Sequence, residues 1–232
     1  MTEPFRSISC ENPETTEVVE QALHSLWSVA NRLSQIRPAK RDRFSVTIFG
    51  SARVQRGDAL YGGVKELARR LSALGCDIVS GGGPSLMEAA NEGAREGDPH
   101  DRTRSVGVRI ALPFEQGANP FVELLYTHET FYTRLHHFVR LSHAFVVMAG
   151  GIGTTLELFL VWQLLQVRHM TDVPLILVGG MWRELSSWAE RHLAGHDPPF
   201  ANLEDVKIPV CVDTVEEAAA LLQPYIDAFQ KS

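Results

Sequence analysis

The stretch Ala144 to Glu157, which reads Ala-Phe-Val-Val-Met-Ala-Gly-Gly-Ile-Gly-Thr-Thr-Leu-Glu, most constrains what this chain can become. A short apolar strand there runs into glycines at 150, 151 and 153 and then straight into a long helix reaching about Gln166. Glycines let the backbone turn sharply and let a ligand come close to it. The first turn of the helix carries N–H groups with no partner inside the helix, so the turn is built to receive an anion. Thr154 and Thr155 add hydroxyl donors, and Glu157 sets a carboxylate one turn in. A phosphate would repel that carboxylate. Glu157 therefore either serves chemistry beside the anion or caps the helix by way of its dipole.

Strand, glycine turn and helix recur along the chain. Phe44–Phe49 reads as a strand that ends in Gly50-Ser51-Ala52-Arg53, with a helix from about Asp58 to Leu74 closed by Gly75. Cys76–Ser80 is the next strand; it ends in Gly81-Gly82-Gly83-Pro84, and Pro84 suits the entry to a helix over Ser85–Glu96. Further strands are expected at Val106–Leu112, Phe121–Tyr126, Val173–Val178 and Ile208–Val212, and helices at Thr130–Leu141 and about Thr214–Phe229. This alternation predicts an α/β fold, a Rossmann-like, doubly wound and mostly parallel sheet with helices on both faces. Ligands in such sheets sit at the carboxyl ends of the strands, so the turns at 50, 81–83 and 150–153 are expected to share one mouth.

Residues 1–43 read as an N-terminal helical arm added to a domain of residues 44–232. Thr15 or Thr16 would cap a helix to about Ile36, with Val19, Leu23, Leu26, Trp27, Ala30 and Leu33 on one face and Pro38 ending it. In the helix after the 150–153 turn, Leu156, Leu160 and Leu164 combine with Val161 and Trp162 into a surface that is apolar nearly all round. Such a helix is buried on most sides, here between the sheet and a neighbour such as a second subunit.

Lys and Arg total 22 against 28 Asp and Glu, a net charge of -6, which gives no footing for a protein held by nucleic-acid phosphates. The expected partner is a small molecule. Cys10, Cys76 and Cys211 form neither a disulfide framework nor a zinc spacing, so a reducing, cytoplasmic setting is expected. No apolar run approaches the roughly 20 residues of a membrane helix, and the polar start lacks the apolar core of a signal peptide, so no membrane partner is expected. A P-loop needs a Gly-Lys-Ser/Thr run, and Lys40, Lys65, Lys207 and Lys231 supply none. Gly150-Gly-Ile-Gly153 lacks the later glycine of the dinucleotide fingerprint, and no acidic residue ends the following strand, so a nicotinamide cofactor is not expected. His128, His136, His137 and His143 crowd one region without matching carboxylates; they read as packing or surface residues and not as a metal site.

Gly81-Gly-Gly-Pro-Ser-Leu-Met-Glu-Ala-Ala-Asn91, then Arg134, then Gly150-Gly-Ile-Gly-Thr-Thr-Leu-Glu157 resemble, in order and spacing, the LONELY GUY (LOG) family, long labelled possible lysine decarboxylases. The resemblance spans about Phe44 to Val212. It implies a nucleoside 5'-monophosphate phosphoribohydrolase that cleaves the N-glycosidic bond of AMP or of a cytokinin riboside monophosphate to free base and ribose 5-phosphate. It also implies a homodimer, and no cofactor is expected. Residue by residue, Arg134 and Glu157 match the family's catalytic pair, and Gly82, Gly83, Gly151, Gly153 and Thr154 match its phosphate-cradling loops. A decarboxylase is disfavoured by the residues themselves, because no lysine is placed near the loops to form a pyridoxal Schiff base.

Further candidates come from position alone. Gly50, Ser51 and Arg53 follow the first strand and Gly150 opens the last turn; Ser51 and Arg53 could touch a nucleotide or be no more than a polar turn after a strand. Glu88 and Asn91, about one turn apart, could hold ribose hydroxyls or form a solvated face. Arg134 could clamp a phosphate, orient Glu157 or be a solvated helix arginine. Phe131, Tyr132 and Phe138 could stack on a base or belong to the core. Two departures from the family pattern stand out: Ala149 replaces its usual proline and Leu135 its usual lysine. Losing the proline removes no donor, whereas losing the lysine removes a cation. They favour the other functional class, a carrier or sensor that holds a phosphorylated ligand, such as a molybdenum-cofactor-type pterin or a signalling nucleotide, without cleaving it.

Overall fold

The computed structural model describes residues 21–22, 26, 42–111 and 117–231. The chain divides into residues 1–40 and residues 41–232. The expected arm helix falls almost wholly outside the described residues.

Among the described residues, seven strands form one sheet in the order β4-β3-β2-β1-β5-β6-β7. They are β1 (Ser45–Phe49), β2 (Asp77–Ser80), β3 (Ser105–Ile110), β4 (Leu124–His128), β5 (Ala144–Val147), β6 (Leu175–Val178) and β7 (Val210–Val212). Each neighbouring pair runs parallel, as in Val46 opposite Ile78 on one side and opposite Ala144 on the other. Helices α1 (Ala59–Ala73), α2 (Leu86–Gly97), α3 (Phe131–Leu141), α4 (Ile152–Gln166), α5 (Gly180–Ala189) and α6 (Leu203–Val206) lie between strands, and α7 (Val215–Gln230) follows β7. The fold is the doubly wound α/β arrangement that the alternation predicts.

Period two in the central strands explains why both faces are covered. Val46, Ile48, Ile78, Val146 and Ile176 point into a core closed by Leu67 and Leu71 of α1, Leu86 and Ala90 of α2, and Leu222 and Ile226 of α7. Phe49, Val79, Phe145, Val147 and Leu177 point the other way, against Phe138 of α3, Leu158, Val161 and Trp162 of α4, and Trp182 of α5. Helix starts follow local chemistry: Asp58 accepts from the Leu60 N–H, Thr130 from the Thr133 N–H, and Thr214 forms a capping box with Glu217.

Strand boundaries shift where a backbone donor is lost or diverted. The strand expected from Phe121 begins at Leu124, because the Phe121 N–H bonds to the Asn119 side chain and the Val122 N–H to the Asn119 carbonyl, which keeps that stretch in a turn. Strands expected from Val173 and Ile208 begin after Pro174 and Pro209, which have no N–H for a ladder. α5, the π-helical turn Glu190–Ala194 that continues it, and α6 went unread in the sequence.

One local conflict lies at the start of α2. Ser85 holds φ 66 and ψ -127, a backbone region that favours glycine, and its buried hydroxyl has no partner among the described residues. Ser85→Gly is expected to stabilise the fold by about 1–2 kcal/mol and to raise the thermal midpoint by a few degrees. A midpoint unchanged or lowered in a thermal melt would contradict this account of the turn.

Candidate functional site

The strand order reverses between β1 and β5, and the loops leaving the carboxyl ends of these strands diverge to opposite faces. A cavity of about 480 Å³ opens there. Gly50, Ser51 and Arg53 line it from the turn after β1, Gly81 and Gly83 from the turn after β2, and Gly151, Gly153 and Thr154 from the turn after β5. The turns are stitched together, since the Ser51 N–H donates to the Ala149 carbonyl at 3.1 Å and the Leu86 N–H to the Ser51 carbonyl at 3.2 Å. Arg134 and Glu157 complete the wall, with Met87, Ile110, Phe131 and Ile152 as its apolar part.

The glycines act differently from the reading in which the 150–153 turn needs unusual backbone angles. None of Gly150, Gly151 and Gly153 has a positive φ. At Gly150 the reason is space, because a Cβ would sit 2.2 Å from the Thr154 hydroxyl oxygen. At Gly151 and Gly153 a Cβ would meet nothing within 4 Å. The fold tolerates side chains at those two positions; an anion lodged against the start of α4 would not. Gly82 is the loop residue that does need its freedom, with φ +70 and a would-be Cβ 3.2 Å from Gly107 Cα.

Arg134 and Glu157 come from neighbouring helices and meet in the cavity wall, Nη1 to Oε1 at 3.0 Å. Only 12% of the arginine side chain and 10% of the glutamate side chain are exposed. The guanidinium is fixed further by Nε donating to the Val108 carbonyl at 2.9 Å and by the Phe138 ring, 5.0 Å away at its centroid. Gly81 leaves the room for it, since a Cβ there would lie 2.8 Å from Arg134 Nη2. Arg134 is thus neither solvated nor free, and Glu157, bonded to it from the second turn of α4, is not a cap. Burial pushes the Glu157 carboxyl up to about 7, with Arg134 pulling the other way by charge and hydrogen bonding. A carboxyl poised there can give or take a proton near neutral pH.

Two expected ribose contacts are corrected. Asn91 is wholly buried and its amide is consumed by Ser80, Ser105, Val106 and Asn119, so it supports the Gly81–Gly83 turn from beneath and cannot touch a ligand. Glu88 is outside the cavity lining, held by Arg56 through Nη2 at 2.6 Å and Nε at 3.1 Å. Of the three aromatics, Phe131 lines the cavity, Phe138 is core beneath Arg134, and Tyr132 stacks on His136. His128 bonds His137 at 2.8 Å, and His143 accepts from the Ser45 N–H. Among the described residues no group of three or more His, Cys, Asp and Glu side chains could hold a metal. No helix among them is long and apolar enough to cross a membrane. Asn119, which sequence reasoning passed over, caps the Gly82–Gly83 turn from the β3–β4 connection; its one signal was an Asn-Pro pair in a stretch expected to precede a strand.

Fold and site together define a doubly wound α/β protein with a cavity lined by glycine turns at its topological switch point and a buried Arg–Glu pair in the wall. The family described as "Possible lysine decarboxylase" matches residues 87–222, more than half of the chain. The chain belongs to that family, the LOG family. It is 29% identical over 140 residues to the pyrimidine/purine nucleotide 5'-monophosphate nucleosidase of Escherichia coli (strain K12); the match covers 58% of this chain but only 30% of that protein. Among solved structures it is similar to the molybdenum cofactor binding protein from Rippkaea orientalis, with TM-score 0.60, 16% identity, and coverage of 81% of this chain and 99% of that one. The molybdenum cofactor carrier protein from Chlamydomonas reinhardtii is similar too, with TM-score 0.57, 16% identity, and coverage of 80% and 99%. At these identities the two structures speak to the fold alone.

The Glu157 carboxyl is expected to titrate at about 7 in infrared or carbon NMR spectra, a band absent from Glu157→Gln. Arg134→Ala removes the charge that favours the ionised form and so moves the titration to higher pH. A Glu157 value in the ordinary carboxylate range would contradict the buried-pair geometry.

Proposed function

We propose that this protein hydrolyses the N-glycosidic bond of a nucleoside 5'-monophosphate, giving free base and ribose 5-phosphate. The observation that carries the proposal is the Arg134–Glu157 pair, buried in the wall of a cavity whose other sides are glycine turns at strand ends. The phosphate lies against the start of α4, among the N–H groups of Gly151 to Thr154, with the Gly83 turn and Arg53 at its rim. The base lies toward Phe131, Met87 and Ile110, where contact is apolar and stacking decides orientation. In the reaction, the C1'–N bond breaks and positive charge gathers on the ribose ring. Ionised Glu157 stabilises that charge and takes a proton from the attacking water, whose oxygen bonds to C1'. The departing base takes up a proton from solvent and Glu157 returns its own to solvent, so one nucleotide and one water yield one base and one ribose 5-phosphate. Arg134 keeps Glu157 aimed and favours its ionised form against burial, and its planar fork reaches the sugar phosphate. The named activity of the Escherichia coli relative supports this reading. A lysine decarboxylase has no support at the cavity, where no described lysine is among the lining residues.

The fold neighbours that bind or carry molybdenum cofactor leave open a second reading, in which the same turns hold a phosphorylated ligand without cleaving it. Leu135 in place of the family's lysine fits this reading. Substitution separates the two. For the hydrolase, Glu157→Gln keeps the shape, loses the charge, and is expected to lower turnover of AMP by roughly 10²- to 10⁴-fold with nucleotide affinity kept. Arg134→Ala is expected to weaken both binding and turnover. Equal hydrolysis by the parent and Glu157→Gln would remove the catalytic assignment.

The working unit is a homodimer on this reading. α4 buries Leu158, Val161 and Trp162 but leaves Ile152 89%, Leu156 46% and Phe159 41% exposed, more apolar surface than a lone helix face keeps in water. Light scattering at micromolar concentration is expected to give twice the chain mass, and Leu156→Glu to give one chain. A parent protein that scatters as one chain would count against the dimer.

A further inference from the structure

Asn119 stands in the connection from β3 to β4, away from the turns that the sequence nominates, yet it grips one of them. Its backbone N–H donates to the Gly82 carbonyl and its side-chain amide to the Gly83 carbonyl, both at 2.9 Å. The other amide proton goes to Asn91 Oδ1, also at 2.9 Å. Asn91 Oδ1 accepts as well from the Ser80 hydroxyl at 2.6 Å, and that hydroxyl oxygen accepts from the Gly82 N–H at 3.0 Å. The direction of every bond is thereby set. Ser80 spends its proton on Asn91, Asn91 presents oxygen, and Asn119 must present its NH2 group to two oxygens at once. Three polar groups of the Gly82–Gly83 turn are tied down by side chains or backbone beneath it, while Gly83 itself lines the cavity. A closed, fully satisfied buried network of this kind holds its members in one arrangement.

We propose that Asn119 is a positioning residue that fixes the Gly82–Gly83 turn for the phosphorylated sugar of the bound ligand and so sets affinity without taking part in the chemistry. The proposal rests on the reading that a phosphorylated ligand enters this cavity, not on its being cleaved there. Asn119 touches neither Arg134 nor Glu157 by any hydrogen bond, so its loss removes none of the bonds that join their pair. Loosening the turn gives the ligand an ordering cost that the parent protein has already met in folding.

The test compares Asn119→Ala with Asn119→Asp. Aspartate fills the same space but replaces the NH2 group by an oxygen facing the Gly83 carbonyl and Asn91 Oδ1, so a donor role makes it at least as harmful as alanine. Calorimetry with ribose 5-phosphate is expected to show affinity reduced by about 10-fold or more in both variants, as two lost hydrogen bonds would give. KM for AMP is expected to rise alongside, with kcat within about 3-fold of the parent. Affinity unchanged in both variants, or lost in Asn119→Ala and kept in Asn119→Asp, would overturn the proposal, the second result meaning that the residue only fills space. The parent gives an arm that does not depend on the variants folding: ribose 5-phosphate is expected to slow amide exchange across residues 81–86, and unchanged exchange on saturation would overturn the proposal. If the parent releases no base while the affinity and exchange results hold, the hydrolase reading fails and the positioning role stands.

Discussion

A carboxylate buried in a protein is costly unless a charge answers it, and the structure around this cavity is arranged so that Arg134 can answer Glu157. The arginine is held on four sides: by Glu157, by the Val108 carbonyl, by the Phe138 ring, and by a turn whose Gly81 has no side chain to displace it. Each of these belongs to a different element, α4, β3, α3 and the β2 turn. The pair therefore depends on the sheet order that brings them together. Desolvation dominates the electrostatics of Glu157, and the guanidinium only moderates it, so the carboxyl rests near neutrality. An ordinary surface carboxylate would be ionised and hydrated at pH 7 and would gain little by meeting an oxocarbenium-like sugar.

The glycine turns meet a different demand. Gly150 is required by the fold because Thr154 occupies the space of its Cβ, whereas Gly151 and Gly153 border open space. Gly82 lies on Gly107 with a positive φ and fixes how near the β2 turn sits to β3. Around them Ser51, Arg53, Thr154 and the ionic pair share the lining with Met87, Ile110 and Phe131. A lining of both kinds suits a ligand that carries both a charged sugar phosphate and a flat ring.

Much of this was legible in the sequence because strand, glycine turn and helix leave strong local marks. The helix after Asp58, the entry at Thr130 and the convergence of the turns at 50, 81–83 and 150–153 follow from caps, periodicity and the carboxyl-end rule. What was not legible depends on contacts between distant residues. Asn91 sits where a ribose contact was expected, but its neighbours Ser80, Ser105 and Asn119 come from other elements and bury it completely. Glu88 is claimed by Arg56, 32 residues earlier. α5 opens on Gly179 and Gly180 without a side-chain cap, so its start leaves no capping signal in the sequence. The apolar run in α4 was read as lying between the sheet and a neighbour; in the single chain Leu158, Val161 and Trp162 meet the sheet side while Ile152, Leu156 and Phe159 face outward.

The central claim is that the cavity breaks the bond between sugar and base and spares the bond between sugar and phosphate. The most direct measurement is chromatography of the products after incubation of the full-length protein with AMP. The account requires adenine and ribose 5-phosphate in equal amounts, matching the AMP consumed, with no adenosine and no inorganic phosphate. AMP recovered intact, or adenosine formed with free phosphate, would contradict it.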